Sequence, residues 1–196
     1  MRRRKFLRDS AAAATGVFVS SIIPISVFGK NSVSHFRLAA QLVRDGKIGK
    51  PGTVRIGLHD AAMIKDLGHI YFESAAWGTK TELTDPLSAE AVAEYYTGDV
   101  SGDFIARVDY INGITFLTGS SYPAGIMFEG TDGWIIAKGD NTGSGLIEAS
   151  DKSINVNDIN INEDHHISTG ESCQRGKRIS LLINSAIMAG RKLNWG

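Results

Sequence analysis

The chain has 196 residues, with 21 basic and 21 acidic side chains and a formal net charge of zero. That balance argues against non-specific nucleic-acid binding, which needs a concentrated basic surface. A single cysteine, Cys173, excludes an internal disulfide and any zinc site built on cysteines. A hydrophobic fraction of 42% suits a globular domain rather than a disordered tail.

The start is a targeting pattern. Arg2, Arg3, Arg4, Lys5 and Arg8 precede an apolar run from Ala11 to about Ile23. This run is too short for a membrane span, which takes ~20 apolar residues. Arg3-Arg4 followed by Phe6-Leu7 resembles the twin-arginine signals that export folded proteins. The expectation is a signal segment over 1–28, export to the periplasm, and no stable transmembrane segment. Cleavage is expected near Phe28, although no clean Ala-x-Ala stands there, and an uncleaved signal would leave a weak membrane anchor. Residues 1–28 hold five of the 21 basic residues and one of the 21 acidic ones, leaving 16 against 20, a net of about −4, on residues 29–196.

Residues 34–45 place Phe36, Ala39, Ala40 and Val43 at helical spacing, with Ser34 as a cap and Gly46 as a stop. Val54, Ile56 and Leu58 alternate as one face of a strand. A helix follows over about 67–78. Ala89–Tyr95 is a weaker strand. Asp103–Tyr110 and Ile114–Thr118 flank Asn112-Gly113, a hairpin signal. Ile126–Glu129 and Trp134–Lys138 form a second pair across Gly130–Gly133. Residues 139–145 read as loop, Ile154–Ile161 as a short irregular strand, and Asn162–Lys177 as a polar stretch. Ile179, Leu182, Ile183, Ala186 and Ile187 make the stripe of a last helix. Connected hairpins with few helices predict an α+β fold with a mostly antiparallel sheet and helices on one face. The other face of such a sheet can serve as an oligomer interface.

Three segments carry a family likeness. The first runs from Phe36, Ala39 and Leu42 through Val43-Arg44-Asp45-Gly46-Lys47-Ile48-Gly49 into Thr53-Val54. The second is Tyr122-Pro123-x-Gly125-x-x-Phe128-Glu129-Gly130-Thr131-x-Gly133-Trp134-Ile135. The third is Gly190-Arg191-Lys192-Leu193-x-Trp195. Together, and in this order, they resemble the C-terminal domain of the glucose–fructose oxidoreductase and inositol dehydrogenase (Gfo/Idh/MocA) family, in its bacterial form. The resemblance implies a domain over 29–196, shortened near 165–180 and lacking the N-terminal Rossmann domain. It implies NAD or NADP only for a full-length member, so no cofactor is expected for this chain. No G-x-G-x-x-G opens a strand–helix unit; Gly143-x-Gly145 lies in a polar loop. Lys50-Pro51 imitates the family's catalytic lysine–proline dipeptide but falls in a different loop.

The family's substrate segment is present in altered form. Aligned on Asp66, Gly68 and Trp77, its catalytic histidine position falls on Ile70 and its acidic position on Glu73, while a histidine stands next door at His69. His69 and Glu73 are four residues apart, a spacing at which Glu73 can orient an imidazole base toward a sugar hydroxyl. The one-residue displacement turns His69 by ~100° from the family direction; an ordinary helix pair without chemistry fits the spacing equally. His59, Asp60 and Asp66 are candidate sugar-binding residues at the end of the first long strand and in the loop after it. Glu163, Asp164, His165 and His166 crowd one loop but are not read as a metal site. Trp77, Phe128 and Trp134 are read as core or interface aromatics. Three functions follow: the substrate-binding and oligomerisation domain of a sugar oxidoreductase, inactive alone; an exported carbohydrate-binding or assembly protein; or a lyase or hydrolase using His59, His69 and Glu73. Expected partners are a sugar or polyol, and a second copy or a complete homologue.

Overall fold

A computed structural model describes residues 21–23, 33–59, 63–64, 68–94, 102–139, 146–154 and 171–194. Among the described residues, the helices α1 (Val33–Arg44), α2 (Gly68–Thr79) and α3 (Glu171–Ala189) cover one face of a nine-stranded sheet. The strands are β1 (Ser21–Ile23), β2 (Pro51–Gly57), β3 (Pro86–Ala93), β4 (Phe104–Tyr110), β5 (Thr115–Gly119), β6 (Gly125–Gly130), β7 (Trp134–Lys138), β8 (Leu146–Ala149) and β9 (Leu193–Asn194). Their spatial order is β1-β8-β7-β6-β2-β5-β4-β3-β9, and among these described strands only the neighbours β2 and β5 run parallel. This is the expected α+β architecture.

Alternation in β2 sets the register. Val54 lies opposite Phe128 and Phe116, and Ile56 opposite Ile126 and Thr118, all of them buried under the helices. Arg55, between them, lies opposite Met127 and Leu117 on the other face. A slip of one residue would drive Arg55 into the core, so the pairing is strongly specified.

The apolar stripe expected on α1 is buried in full, together with Leu38 and Leu42. Gly46 ends the helix at φ 81, with Gly46 N–H on the Val43 carbonyl and Lys47 N–H on that of Leu42. α2 ends on the same motif with Lys80 in the left-handed region at φ 59 and Thr81 N–H on the Ala76 carbonyl at 2.9 Å. α2 is wedged between its neighbours. A Cβ on Gly68 would stand 3.1 Å from Ser180 Oγ of α3, and one on Gly78 would stand 3.1 Å from Ala40 of α1.

Four differences from the sequence expectations stand out. α3 begins at Glu171, so residues 171–177, read as polar stretch, are helical. Gln174, Arg175, Lys177 and Arg178 are adequate helix formers, and the apolar stripe that signals the helix begins only at Ile179. β8 occupies 146–149, ahead of the expected strand at 154–161; Ile154 is a buried residue after the Asp151–Ser153 turn, and residues 155–161 lie outside the described residues. β9 pairs Leu193 and Asn194 with Ala89 and Ser88, a strand too short to announce itself. β1, which falls inside the expected signal segment, pairs antiparallel with Ile147–Ala149 at the sheet edge.

Tyr110 closes β4 with its ring 4.9 Å from Phe116 and 4% of its surface exposed. Burial raises its pKa well above the ordinary 10.0; Thr81 opposes the rise, and Asp85 adds to it. The unfolded chain therefore ionises first. The stabilisation is complete below about pH 10 and is lost as pH climbs toward the folded-state value. Tyr110→Phe is expected to flatten this alkaline loss, measured as urea midpoints at pH 9 and pH 11.

Candidate functional site

The candidate site lies where β2 runs out and α2 begins. Leu58 is buried, with its N–H on the Gly119 carbonyl at 3.3 Å, and His59 follows it into solvent, exposed. Asp60 and Asp66 lie outside the described residues. Between them Ile64 is fully buried and holds the connection down onto the core.

α2 starts at Gly68, so residues 69 and 73 are both helical and one turn apart, as the spacing requires. The His69 side chain is outside the described set. Glu73 is half-buried within the helix layer. Ile70, at the position where the resemblance places the catalytic histidine, is partly buried and packs on the core. The base position thus carries a packing residue here. The structure brings Glu73 and the backbone of His69 onto one helix and leaves His59 at a separate, solvated position.

One residue beside this region escaped the sequence reading. His35, in the first turn of α1, is 2% exposed; its ring lies 4.0 Å from Phe36, which in turn lies 5.0 Å from Tyr71 of α2. The signal was available, because His35 precedes the first buried stripe residue, Phe36, but a lone histidine next to an aromatic is usually packing.

Trp77 packs against the core, with the Arg44 guanidinium carbon 5.1 Å from its ring centroid. Phe128 is fully buried and Trp134 is 9% exposed, which agrees with a core or interface role for both. Among the described residues no three His, Cys, Asp or Glu side chains gather as a metal site; His165 and His166 lie outside them, as does Gly143-x-Gly145. No helix among the described residues is long and apolar enough to cross a membrane.

The opposite face of the sheet carries a second polar group. Arg55 Nη1 meets Glu129 Oε1 at 2.5 Å, and Lys138 Nζ meets Glu148 Oε1 at 2.7 Å. Tyr122 is buried beside the first pair; burial raises its pKa, Arg55 lowers it and Glu129 raises it further. Half-buried Leu117 and Met127 and buried Ile105 and Ile136 surround these charges.

The architecture is an α+β domain whose fold resembles part of several solved oxidoreductase structures. It is similar to the aldose-aldose oxidoreductase from Caulobacter crescentus complexed with glycerol, at a TM-score of 0.55 and 18% identity over 82% of this chain and 60% of that one. The scyllo-inositol dehydrogenase from Lactobacillus casei with bound NAD(H) and scyllo-inositol gives 0.55 and 13%, over 82% and 61%. An NAD-binding protein from Listeria innocua gives 0.56 and 13%, over 82% and 64%. At these identities the likeness is one of fold. The chain therefore spans about 60% of the length of these structures. No family model matches the sequence. No curated protein matches it either.

Proposed function

We propose that this chain is the substrate-binding and oligomerisation domain of a sugar oxidoreductase of the Gfo/Idh/MocA type, exported by a twin-arginine signal, and that by itself it performs no hydride transfer. The observation that carries this reading is the shared fold: a nine-stranded, mostly antiparallel sheet under helices, matched over 82% of this chain and 60% of the aldose-aldose oxidoreductase. The three ordered sequence segments favour the same family. Hydride transfer needs a nicotinamide held against the substrate carbon, and neither the sequence nor the described residues supply a glycine-rich turn for its pyrophosphate. Ile70 at the base position supports the same conclusion. The ligand of this reading is a sugar or polyol at the end of β2, beside the exposed His59. The sheet face around Arg55, Leu117 and Met127 fits a second copy or a complete homologue, because it combines apolar area with paired charges.

Dinucleotide titration of the purified chain tests the core of this reading. No saturable binding of NAD or NADP is expected, and low-micromolar binding would overturn the inactive-domain assignment. A sugar and polyol panel, run with sedimentation analysis, separates the alternatives. A defined oligomer that ignores every sugar would move the assignment to an assembly protein.

A further inference from the structure

The end of α2 remote from His69, about 15 Å along the helix axis at 1.5 Å per residue, borders a cleft of about 330 Å³. Arg44, Lys50, Lys80 and Asn112 line it, and no acidic residue does. Gly46 and Gly49 open its wall, since neither carries a side chain.

Arg44 is already committed. Its Nη1 donates to Glu82 Oε1 and to the Trp77 carbonyl, each at 2.7 Å. Lys50 and Lys80 are both exposed, and neither has an ion-pair partner among the described residues. Asn112 Oδ1 accepts from the Ile114 N–H at 3.2 Å, which keeps its amide NH2 as a donor.

Lysines at helix C-termini ordinarily serve the last carbonyls and the negative end of the dipole. Both α1 and α2 end here, and four of the carbonyls in their last turns are already taken by backbone: Leu42 by Lys47 N–H, Val43 by Gly46 N–H, Ala76 by Thr81 N–H and Trp77 by Lys80 N–H. Two ammonium groups are left over beside a cavity of small-molecule size. A cleft lined by one sign of charge focuses its field and concentrates counter-ions.

We propose that this cleft binds a compact multivalent anion, a phosphate ester or a small di- or tricarboxylate. Lys50 and Lys80 supply the charge and Asn112 a directed hydrogen bond. The site gives the Lys50-Pro51 dipeptide a role unrelated to hydride transfer. Asp132 is not part of the lining but stands behind Gly49, its Oδ2 2.6 Å from where a Gly49 Cβ would stand, and its charge opposes an anion in the cleft.

The test is titration of the isotope-labelled chain at low salt with inorganic phosphate, with citrate and with glycerol, followed by amide chemical shifts. Saturable shifts at Gly46, Gly49, Lys80 and Asn112 are expected with an anion and none with glycerol. Saturation with phosphate alone assigns a phosphate ester, and saturation with citrate alone a polycarboxylate. The double variant K50Q/K80Q should weaken binding about tenfold, roughly 0.7 kcal/mol per charge. K47Q, which removes a neighbouring exposed lysine outside the lining, should leave it unchanged, and D132N should tighten it. Shifts that never saturate, or an equal loss in K47Q, would reduce the effect to adventitious ionic association and overturn the proposal.

Discussion

Phe128→Ala is expected to cost about 3–5 kcal/mol, a large share of the stability of a domain this size. Phe128 is fully buried in β6, opposite Val54 and Ile135 in the register. Its Cε1 stands 3.0 Å from where a Cβ on Gly78 would lie, so the ring fills the space that a glycine leaves in α2. Truncation removes the contact that seats α2 on the sheet, and neither neighbour can move in. Gly78 has no side chain to offer, and its strand partners are held by the ladder. A urea midpoint far below that of the parent chain is the measurable result. A drop near 1 kcal/mol would mean that α2 settles into the gap. Phe128→Leu, which keeps most of the volume, should cost markedly less.

Much of this fold was legible because its signals are local. Asn112-Gly113 marked the β4–β5 hairpin, with Gly113 at φ 83, and the alternation of Val54, Ile56 and Leu58 marked β2. What escaped depends on tertiary contact. β9 has two residues and exists because Leu193 and Asn194 find an open edge of β3. The first turns of α3 carry no apolar stripe, so helical periodicity could not reveal them. The central place of β2 was also hidden. Strand order follows from which faces can be buried together, and the parallel partner β5 lies some sixty residues downstream.

The candidate site was legible only as a pattern of residue types. The four-residue spacing of His69 and Glu73 is real, because both fall on α2. The spacing could not show that Ile70 is turned toward the core, since only the packing of α2 between α1 and α3 decides its rotation. The cationic cleft was invisible for a related reason. Lys50, Lys80 and Asn112 are 30 and 32 residues apart in turn and meet only because two helices and a hairpin end together. His59 was found by position, as the residue after a strand, and the structure shows it exposed there.

Gly57→Ala is the second change expected to have a large effect, and it acts on both the sheet and the candidate site. A Cβ at Gly57 would stand 2.0 Å from the Pro123 carbonyl oxygen, 2.5 Å from its carbon and 2.7 Å from the Tyr122 carbonyl oxygen. All three are backbone atoms, so no side chain can rotate away and the chain itself must move. Gly57 is bridged to Ala124 and opposite Gly125, whose own Cβ position lies 2.1 Å from the Ala137 carbonyl oxygen. Displacement of the Tyr122-Pro123 segment is therefore resisted by β7 behind it. Overpacking of this kind costs about 1–3 kcal/mol when side chains yield, and more where backbone must shift. The expected loss is at least 3 kcal/mol, on the order of a core truncation. Gly52→Ala is the matched comparison: nothing lies within 4 Å of its Cβ position, and its melting behaviour should stay close to the parent's. Because Gly57 immediately precedes Leu58 and His59, the clash should also move the exposed imidazole. If sugar binding is found for the parent chain, Gly57→Ala should weaken it even at temperatures where the variant remains folded, while Gly52→Ala should not. Equal stability for the two variants would show that the Tyr122-Pro123 segment is looser than its contacts with β2 and β6 imply.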